Sequence, residues 1–189
     1  MFTIRPLAGV FAALLVATAA APVQAGKGHV HGLATLKVAV DGETLTLILE
    51  SPLDNLLGFE RAPRDDAERR AVATMAERLR NPEKMLLPAA AARCTLAEVR
   101  LTSPVLAGTP AHDALPGAAG AAAPAKPADG HGELMARYRY RCAAPAELRS
   151  VEVRLFESFR RLASINAQVA GAKGQSAKRL TPKQSVLTL

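Results

Sequence analysis

Two alternating runs of residues on either side of an Asp-Gly pair constrain the fold more than any other feature of this sequence. Apolar side chains occupy every second position of residues 33–40, and leucines recur in the same way through residues 43–50. A period of two is typical of a half-buried β-strand, and Asp41-Gly42 between the runs favours a tight hairpin turn. The sequence therefore predicts an antiparallel hairpin with one face in a hydrophobic core.

Further strands and one helix are predicted along the chain. The predicted strands cover residues 93–102, 134–142, 150–156, 165–169, 175–180 and 186–189. Apolar residues three and four apart between Ala67 and Leu79 indicate a helix, which Asp65 or Asp66 can cap and Asn81-Pro82 ends. Residues 83–87 are interpreted as one short turn. The predicted fold class is α+β, with six to eight mostly antiparallel strands and one main helix.

Residues 103–130 have a different composition. These 28 residues include ten Ala, five Pro and four Gly, and they show no periodicity. Prolines and glycines interrupt any helix that the alanines would favour, and the segment has little to bury. We predict a flexible insert within a single domain that spans residues 26–189.

The first 25 residues have the pattern of a secretory signal peptide. Arg5 precedes an apolar stretch at residues 7–21, and Val23-Gln24-Ala25 is a small-x-small cleavage signal. The alternative is an uncleaved anchor, but about 15 apolar residues fall short of the roughly 20 that span a bilayer. We expect cleavage after Ala25, export of the mature chain and no transmembrane segment in the mature protein.

Export affects how the two cysteines are interpreted. Cys94 and Cys142 are 48 positions apart, which excludes a C-x-x-C motif. In an oxidising compartment they favour a disulfide over metal thiolates, and closing a loop of that length contributes about 4 kcal/mol on chain-entropy grounds. The alternative is a pair of buried thiols.

Composition and motifs exclude several classes of protein. Lys and Arg number 24 against 17 Asp and Glu, but there is no Trp and the aromatic content is 4%. Nucleic-acid binding usually combines basic surfaces with aromatic stacking platforms, so we expect none here. The sequence has no G-x-S-x-G, H-E-x-x-H, Walker A or dinucleotide motif, and we expect no enzyme. The basic surface is interpreted as solvated, or as a contact for anionic lipid or polysaccharide.

The four histidines are the candidate metal ligands. His29 and His31 lie in a Gly-His-Val-His-Gly segment, and in an extended strand their side chains would point to the same side. His112 and His131 lie at the two ends of the insert, beside carboxylates. Imidazole nitrogens suit zinc, copper and nickel. The alternative for each pair is a solvated histidine in a flexible segment.

The sequence resembles the ZrgA-like zinc-binding proteins of the Gram-negative periplasm. The matching segments occur in order over nearly all of the mature chain: HVHGLATLKVAV, ESPLDNLLGFERAP, the ARC around Cys94, YRYRCAAPAELRSVEVRLFESFRRL and GQSAKRLTPKQSVLTL. The resemblance implies a periplasmic protein that binds zinc through histidines and supports zinc uptake, together with a zinc-uptake component of the envelope as its partner.

Individual residues carry this resemblance. His29 and His31 match the family's H-x-H-G, Cys94 and Cys142 match its two cysteines, and His131 fits the end of its variable insert. Relatives often have a His- and Asp-rich tract in that insert, whereas Ala, Pro and Gly fill it here. The resemblance therefore implies one zinc site rather than high-capacity loading.

Two hypotheses of different classes follow. The first is a monomeric, disulfide-linked protein that captures one zinc ion through His29 and His31, with His131 or His112 supplied by the insert. The second is an envelope interaction module that has lost most metal binding, which the His-poor insert favours. The Gly-Phe-Glu segment around Glu60 also matches the family, without a role that the sequence assigns to it.

Overall fold

A computed structural model of the 189-residue chain describes residues 30–107 and 132–189. Their nine strands are β1 (Leu33–Asp41), β2 (Thr44–Pro52), β3 (Leu86–Pro88), β4 (Cys94–Thr102), β5 (Glu133–Cys142), β6 (Ser150–Val153), β7 (Ser164–Gly171), β8 (Gly174–Leu180) and β9 (Val186–Thr188). Their helices are α1 (Asp54–Leu57), α2 (Asp66–Arg80) and α3 (Leu155–Ser158). The predicted signal peptide, most of the insert, and His29, His112 and His131 lie outside the described residues.

The strands form two sheets. The larger has the order β4-β5-β2-β1-β7-β8, and the smaller has the order β3-β6-β9. The predicted hairpin is confirmed, with Val38 opposite Leu47 and Asp41 opposite Thr44. β1 and β7 pair in parallel, whereas the other neighbours pair antiparallel. The α+β class is thus confirmed, with a mixed principal sheet.

One face of the six-stranded sheet forms the core. Its buried residues alternate along each strand, as in Leu36 of β1, Leu47 of β2 and Tyr138 of β5, all fully buried. Helix α2 buries Met75 and Leu79 in the same cluster. On the four central strands, the residues between these buried positions lie on the opposite face of the sheet and are exposed or partly exposed. The periodicity that predicted the strands therefore marks the boundary between core and solvent.

Helix α2 begins with a well-made cap. The Asp65 side chain accepts a hydrogen bond from the Glu68 backbone N–H at 2.8 Å. Glu68 in turn accepts one from the Arg64 backbone N–H at 2.7 Å. The first bond satisfies an amide donor that the first helical turn leaves without an intrahelical partner, and the second ties the residue before the cap to the helix. None of the helices in the described part of the chain is both long and apolar enough to cross a membrane.

The predicted disulfide is confirmed. Cys94 and Cys142 are bonded and are direct partners in the register of β4 and β5. Because these strands are antiparallel, their other ends also meet, at Thr102 and Met135. β4 leads into the insert and β5 follows it at that second end, so the disulfide lies at the opposite end of these two strands.

Several local predictions differ from the structure. His31 and Gly32 form a turn, and the strand begins at Leu33 as predicted, so the extended arrangement considered for the His29–His31 segment is not found at His31. Gly32 has φ +81°, a left-handed conformation that suits glycine. A hydrogen bond of 3.1 Å from the Leu33 N–H to the Val30 carbonyl closes the turn.

Other differences concern segment boundaries. The first residues assigned to the insert form a 3-10 turn at Pro104–Leu106, because Leu106 is buried in the core. The strand predicted at residues 150–156 ends at Val153 and is followed by α3. The short turn expected at residues 83–87 is a 3-10 turn at Pro82–Lys84, and the short β3, which pairs with β6, follows it at Leu86–Pro88. Helix α1 was not predicted, because four residues are too few to show helical periodicity.

Candidate metal centre

A cluster of polar side chains lies at the end of the six-stranded sheet that the insert adjoins. His31 belongs to the turn before β1, Asp54 is the first residue of α1, and Glu60 follows in the segment between α1 and α2. Arg161 reaches the same place from the loop before β7. Four separate segments of the chain therefore contribute to one cluster.

The turn that carries His31 is fixed by its backbone neighbours. The Gly32 carbonyl accepts hydrogen bonds from the N–H groups of Ala163 and Ser164 at 2.8 and 2.9 Å. The Gly32 N–H donates to Asn55 Oδ1 at 2.6 Å, and Asn55 Nδ2 donates to the Leu33 carbonyl at 2.9 Å. Asn55 is 1% exposed. One buried amide side chain thus ties both sides of the turn to helix α1.

The imidazole of His31 lies between two carboxylates. Its Nδ1 is 3.8 Å from Asp54 Oδ2, and its Nε2 is 3.6 Å from Glu60 Oε1. The His31 side chain is 59% exposed, whereas those of Asp54 and Glu60 are 11% and 10% exposed. Both contacts are longer than a hydrogen bond. The arrangement is a solvent-accessible imidazole above two largely buried acids.

Asp54 is held by an ion pair with Arg161. Arg161 Nη2 donates to both carboxylate oxygens of Asp54 at 2.8 and 2.9 Å, and Arg161 Nε donates to the Asp54 carbonyl at 2.9 Å. Charge-assisted bonds of this kind fix geometry more strongly than a single neutral hydrogen bond. The charge of Asp54 is therefore balanced within the cluster, and its carboxylate has a fixed orientation.

The segment that carries Glu60 is anchored to helix α2. Arg61 donates from its two terminal nitrogens to the two Glu68 carboxylate oxygens, both at 2.7 Å. The Arg61 guanidinium also lies 5.2 Å from the centre of the Phe59 ring. Hydrogen bonds from Arg61 and the Arg64 backbone lower the pKa of Glu68 to about 2. Phe59 and Arg61 are the residues before and after Glu60, so these contacts restrict the movement of the Glu60 backbone.

Gly132, the first described residue after the insert, packs tightly against this segment. A Cβ atom at position 132 would be 2.5 Å from the Glu60 carbonyl oxygen and 2.6 Å from Leu53 Cδ1. The Leu53 N–H donates to the Gly132 carbonyl at 2.9 Å. Only glycine allows the backbone to approach so closely, so the chain re-enters the fold directly beside Glu60.

The geometry suits two ligands of one small cation. Ligands at about 2.0–2.1 Å from a tetrahedral zinc ion are about 3.4 Å apart, close to the 3.6 Å between His31 Nε2 and Glu60 Oε1. Within residues 30–107 and 132–189, however, no group of three or more His, Cys, Asp or Glu side chains is arranged to hold a metal ion. A complete site needs ligands beyond this pair.

Sequence reasoning selected only part of this cluster. It named His31, but not Glu60 as a ligand, nor Asp54 or Arg161. The one available signal was the family match around Glu60, because a single carboxylate has no spacing pattern of its own. The cysteines are apart from the cluster and hold the far end of the sheet.

Comparisons with known proteins agree with the resemblance seen in the sequence. Residues 28–189 match the family described as ZrgA family zinc uptake protein. A comparison with curated proteins finds no match. The family match includes the hairpin, the disulfide and the whole of the polar cluster described above. The chain belongs to the ZrgA family of zinc uptake proteins.

Proposed function

We propose that this protein captures a zinc ion in the periplasm and thereby supports zinc uptake, with His31 and Glu60 as two of the protein ligands. The observation that carries the proposal is the 3.6 Å approach of His31 Nε2 to Glu60 Oε1. An imidazole nitrogen and a carboxylate oxygen are both ordinary zinc ligands. The family's role in zinc uptake supports zinc as the cargo.

His29 and His131 are the proposed sources of the remaining ligands. His131 is joined by one peptide bond to Gly132, whose backbone packs against Glu60. His29 precedes Val30 in the segment that leads into the His31 turn. Consecutive Cα atoms are about 3.8 Å apart, and each histidine is within two residues of a described residue of the cluster or of its packing, His29 of His31 and His131 of Gly132. His112, within the insert, is a further candidate ligand.

The chemistry of this set favours capture and release over catalysis. Zinc binds the neutral form of imidazole and the charged form of a carboxylate, so the site takes up metal near neutral pH. The exposure of His31 gives the ion a route in and out, while the buried carboxylate lowers the cost of transferring a cation from water. We propose a monomeric carrier that is not an enzyme and passes zinc to an uptake component of the envelope.

Export follows from the same proposal. Cleavage after Ala25 would release residues 26–189, which include His29 and the whole described fold. The disulfide supports an oxidising compartment, because such bonds persist there and are rare in reducing ones. Mass spectrometry of the protein from a periplasmic extract tests this step, and a mature chain that still begins at Met1 would contradict it.

Calorimetric titration of zinc into disulfide-intact, metal-stripped residues 26–189 at about pH 7.4 tests the ligand assignment. We expect one site, and affinity at least about 100-fold weaker in His31→Ala and Glu60→Gln, because each removes a ligand. Glu77→Gln on the exposed face of α2 is the matched control and should bind like the unmodified protein.

Two results would contradict the proposal. Unchanged affinity in both ligand variants would place the zinc elsewhere. Absence of binding by the unmodified protein would favour an envelope interaction module that has kept the fold without the metal.

A further inference from the structure

We propose that the outer edge of strand β8 is a docking site for an extended, acidic segment of a partner protein, which adds one strand to the six-stranded sheet. In the part of the chain that the structure describes, β8 ends this sheet and pairs only with β7. A strand at the end of a sheet presents unpaired backbone N–H and C=O groups, which another extended chain can bind. The inference uses no residue of the proposed zinc site.

The two edges of the sheet differ in how well they can accept a further strand. At one edge, the register of β4 with β5 shifts between Leu96 and Glu98, and such bulges bend a strand and disturb its regular spacing. At the other edge, β8 pairs with β7 without a shift from Leu180 to Gly174, and residues 174–179 are all exposed. The regular, exposed edge is therefore that of β8.

The chain segment that forms β8 carries charges of a single sign. Residues 158–189 contain six Lys or Arg and no Asp or Glu. Lys178 and Arg179 are exposed residues of β8 itself, and Lys173 and Lys183 lie close to its two ends. Like charges on paired strands repel, so two copies of β8 pair poorly with each other. An acidic chain is attracted to the same edge, and the charge therefore favours an acidic partner over a second copy.

A hollow lies on each face of the sheet beside β8. The hollow on the solvent side is lined by Gln168 and Ala177, among others. The hollow on the core side is lined by Ser176 of β8 together with apolar groups, including Val169 and Leu189. Side chains alternate between the two faces of a strand, so an added strand places successive side chains over one hollow and then the other. Such hollows give a docked strand its specificity.

Val186 of β9 adds an apolar contact next to this edge. Its side chain is 47% exposed, and it is one of two large apolar residues that the described part of the chain exposes. The Lys178 Nζ atom donates to the Val186 carbonyl at 2.9 Å, which holds a cation of β8 beside this residue. A partner segment that carries both acidic and apolar side chains therefore matches this edge.

Fluorescence anisotropy with the disulfide-intact protein and a labelled peptide of alternating Glu and Val, about ten residues long, tests the proposal. We expect saturable binding that weakens as salt screens the charges. The double variant Lys178→Glu, Arg179→Glu should bind at least about tenfold more weakly, because two attractive contacts become repulsive. The matched control is Arg70→Glu, Arg141→Glu, which reverses two exposed cations of α2 and β5 and should bind like the unmodified protein.

Amide hydrogen exchange, followed by NMR on the unmodified protein, tests the strand pairing itself. Backbone N–H groups that take part in a new ladder are protected from exchange. With saturating peptide, we expect the outward-pointing N–H groups of β8 to exchange at least about tenfold more slowly, and those of β4 to keep their rates. This readout needs no substitution, so it decides even where a variant does not fold.

Several results would overturn the proposal. Equal losses of peptide binding in the two double variants would show that only the overall charge of the protein matters. Protection of β4, or of neither edge, would show that the peptide does not extend the sheet at β8. Absence of peptide binding would also overturn it, and binding to phosphatidylglycerol vesicles would then assign the edge to a lipid surface. Slow exchange of β8 in self-associated protein without peptide would assign the edge to a second copy.

Discussion

The two ends of the six-stranded sheet are built in different ways. At one end, Cys94 and Cys142 link neighbouring strands covalently. At the other end, His31, Asp54 and Glu60 are brought together by ion pairs and backbone hydrogen bonds between segments far apart in the sequence. The insert leaves and re-enters the fold at this second end.

The two ends of the sheet therefore differ in role: the disulfide stabilises one end, and the other end carries the proposed functional site. A disulfide between paired strands restricts the unfolded chain and needs no exposed group. A site that exchanges an ion with solvent needs an accessible ligand, and in the proposed site the exposed His31 would be that ligand. Connecting segments commonly carry function on a rigid scaffold, and here the covalent link lies at the opposite end of the sheet from the proposed site.

Removal of the disulfide should have the largest effect on stability. In the double variant Cys94→Ser, Cys142→Ser, we expect the free energy of unfolding to fall by about 4 kcal/mol, because the open chain regains loop entropy. Urea unfolding measures this loss. Zinc affinity of the folded fraction should be unchanged, since the bond is at the opposite end of the sheet. A large loss of affinity in folded protein would show that the two ends are coupled.

Substitution of Gly132 should affect both stability and the site. In Gly132→Ala the new methyl group would collide with the Glu60 backbone and the Leu53 side chain. We expect a loss of about 1–3 kcal/mol, the usual cost of overpacking, and weaker zinc binding because the Glu60 segment must move. Thermal unfolding and calorimetry measure the two effects.

The matched control is Gly171→Ala at the disulfide end. A Cβ atom there would make an ordinary contact of 3.6 Å with Val40. This variant should keep both the stability and the zinc affinity of the unmodified protein. Equal losses in the two glycine variants would contradict the idea that the packing of Gly132 on Glu60 supports the site.

The smallest expected effect concerns the Arg61–Glu68 ion pair, which anchors the Glu60 segment to helix α2. This pair should make the stability of the protein depend on pH. The pKa of Glu68 is lowered from 4.5 to about 2 by hydrogen bonds from Arg61 and the Arg64 backbone. A lowered pKa in the folded state stabilises the protein above the unfolded value, and this contribution disappears as pH falls through about 4.5 towards 2. Glu68→Gln should therefore reduce stability at neutral pH and converge with the unmodified protein near pH 2.

Urea midpoints measured from neutral pH down to about pH 2 test this expectation. The control is Glu77→Gln, an exposed residue of the same helix, whose difference from the unmodified protein should not vary in this way. A difference for Glu68→Gln that stays constant over the whole range would contradict a role for the carboxylate charge.

The fold was predictable where the pattern is local and regular. The alternation around Asp41-Gly42 and the spacing from Val72 to Leu79 predicted the hairpin and helix α2, since burial on one face imposes those periods. The short elements α1 and β3 were not predicted, because four and three residues are too few to show a helical or strand period. The turn at His31 was missed because Gly32 adopts a left-handed conformation that no periodicity encodes.

The candidate site was only partly predictable for a related reason. His31 could be selected because histidines are rare in this chain and two of them flank one valine. The importance of Glu60 and Asp54 depends on their approach to His31, which lies more than twenty positions away in the sequence. A single carboxylate among 17 acidic residues has no local pattern to distinguish it.

The sequence by itself determined the α+β class, the strands of the hairpin and the family, and it favoured the pairing of Cys94 with Cys142. These properties depend on local period, composition and motif order. Only the tertiary structure decided that β1 and β7 pair in parallel and that Arg161 meets Asp54 beneath His31. The reason is physical: contacts between distant segments form when the whole core packs, and the energy that aligns them comes from buried residues elsewhere in the sheet.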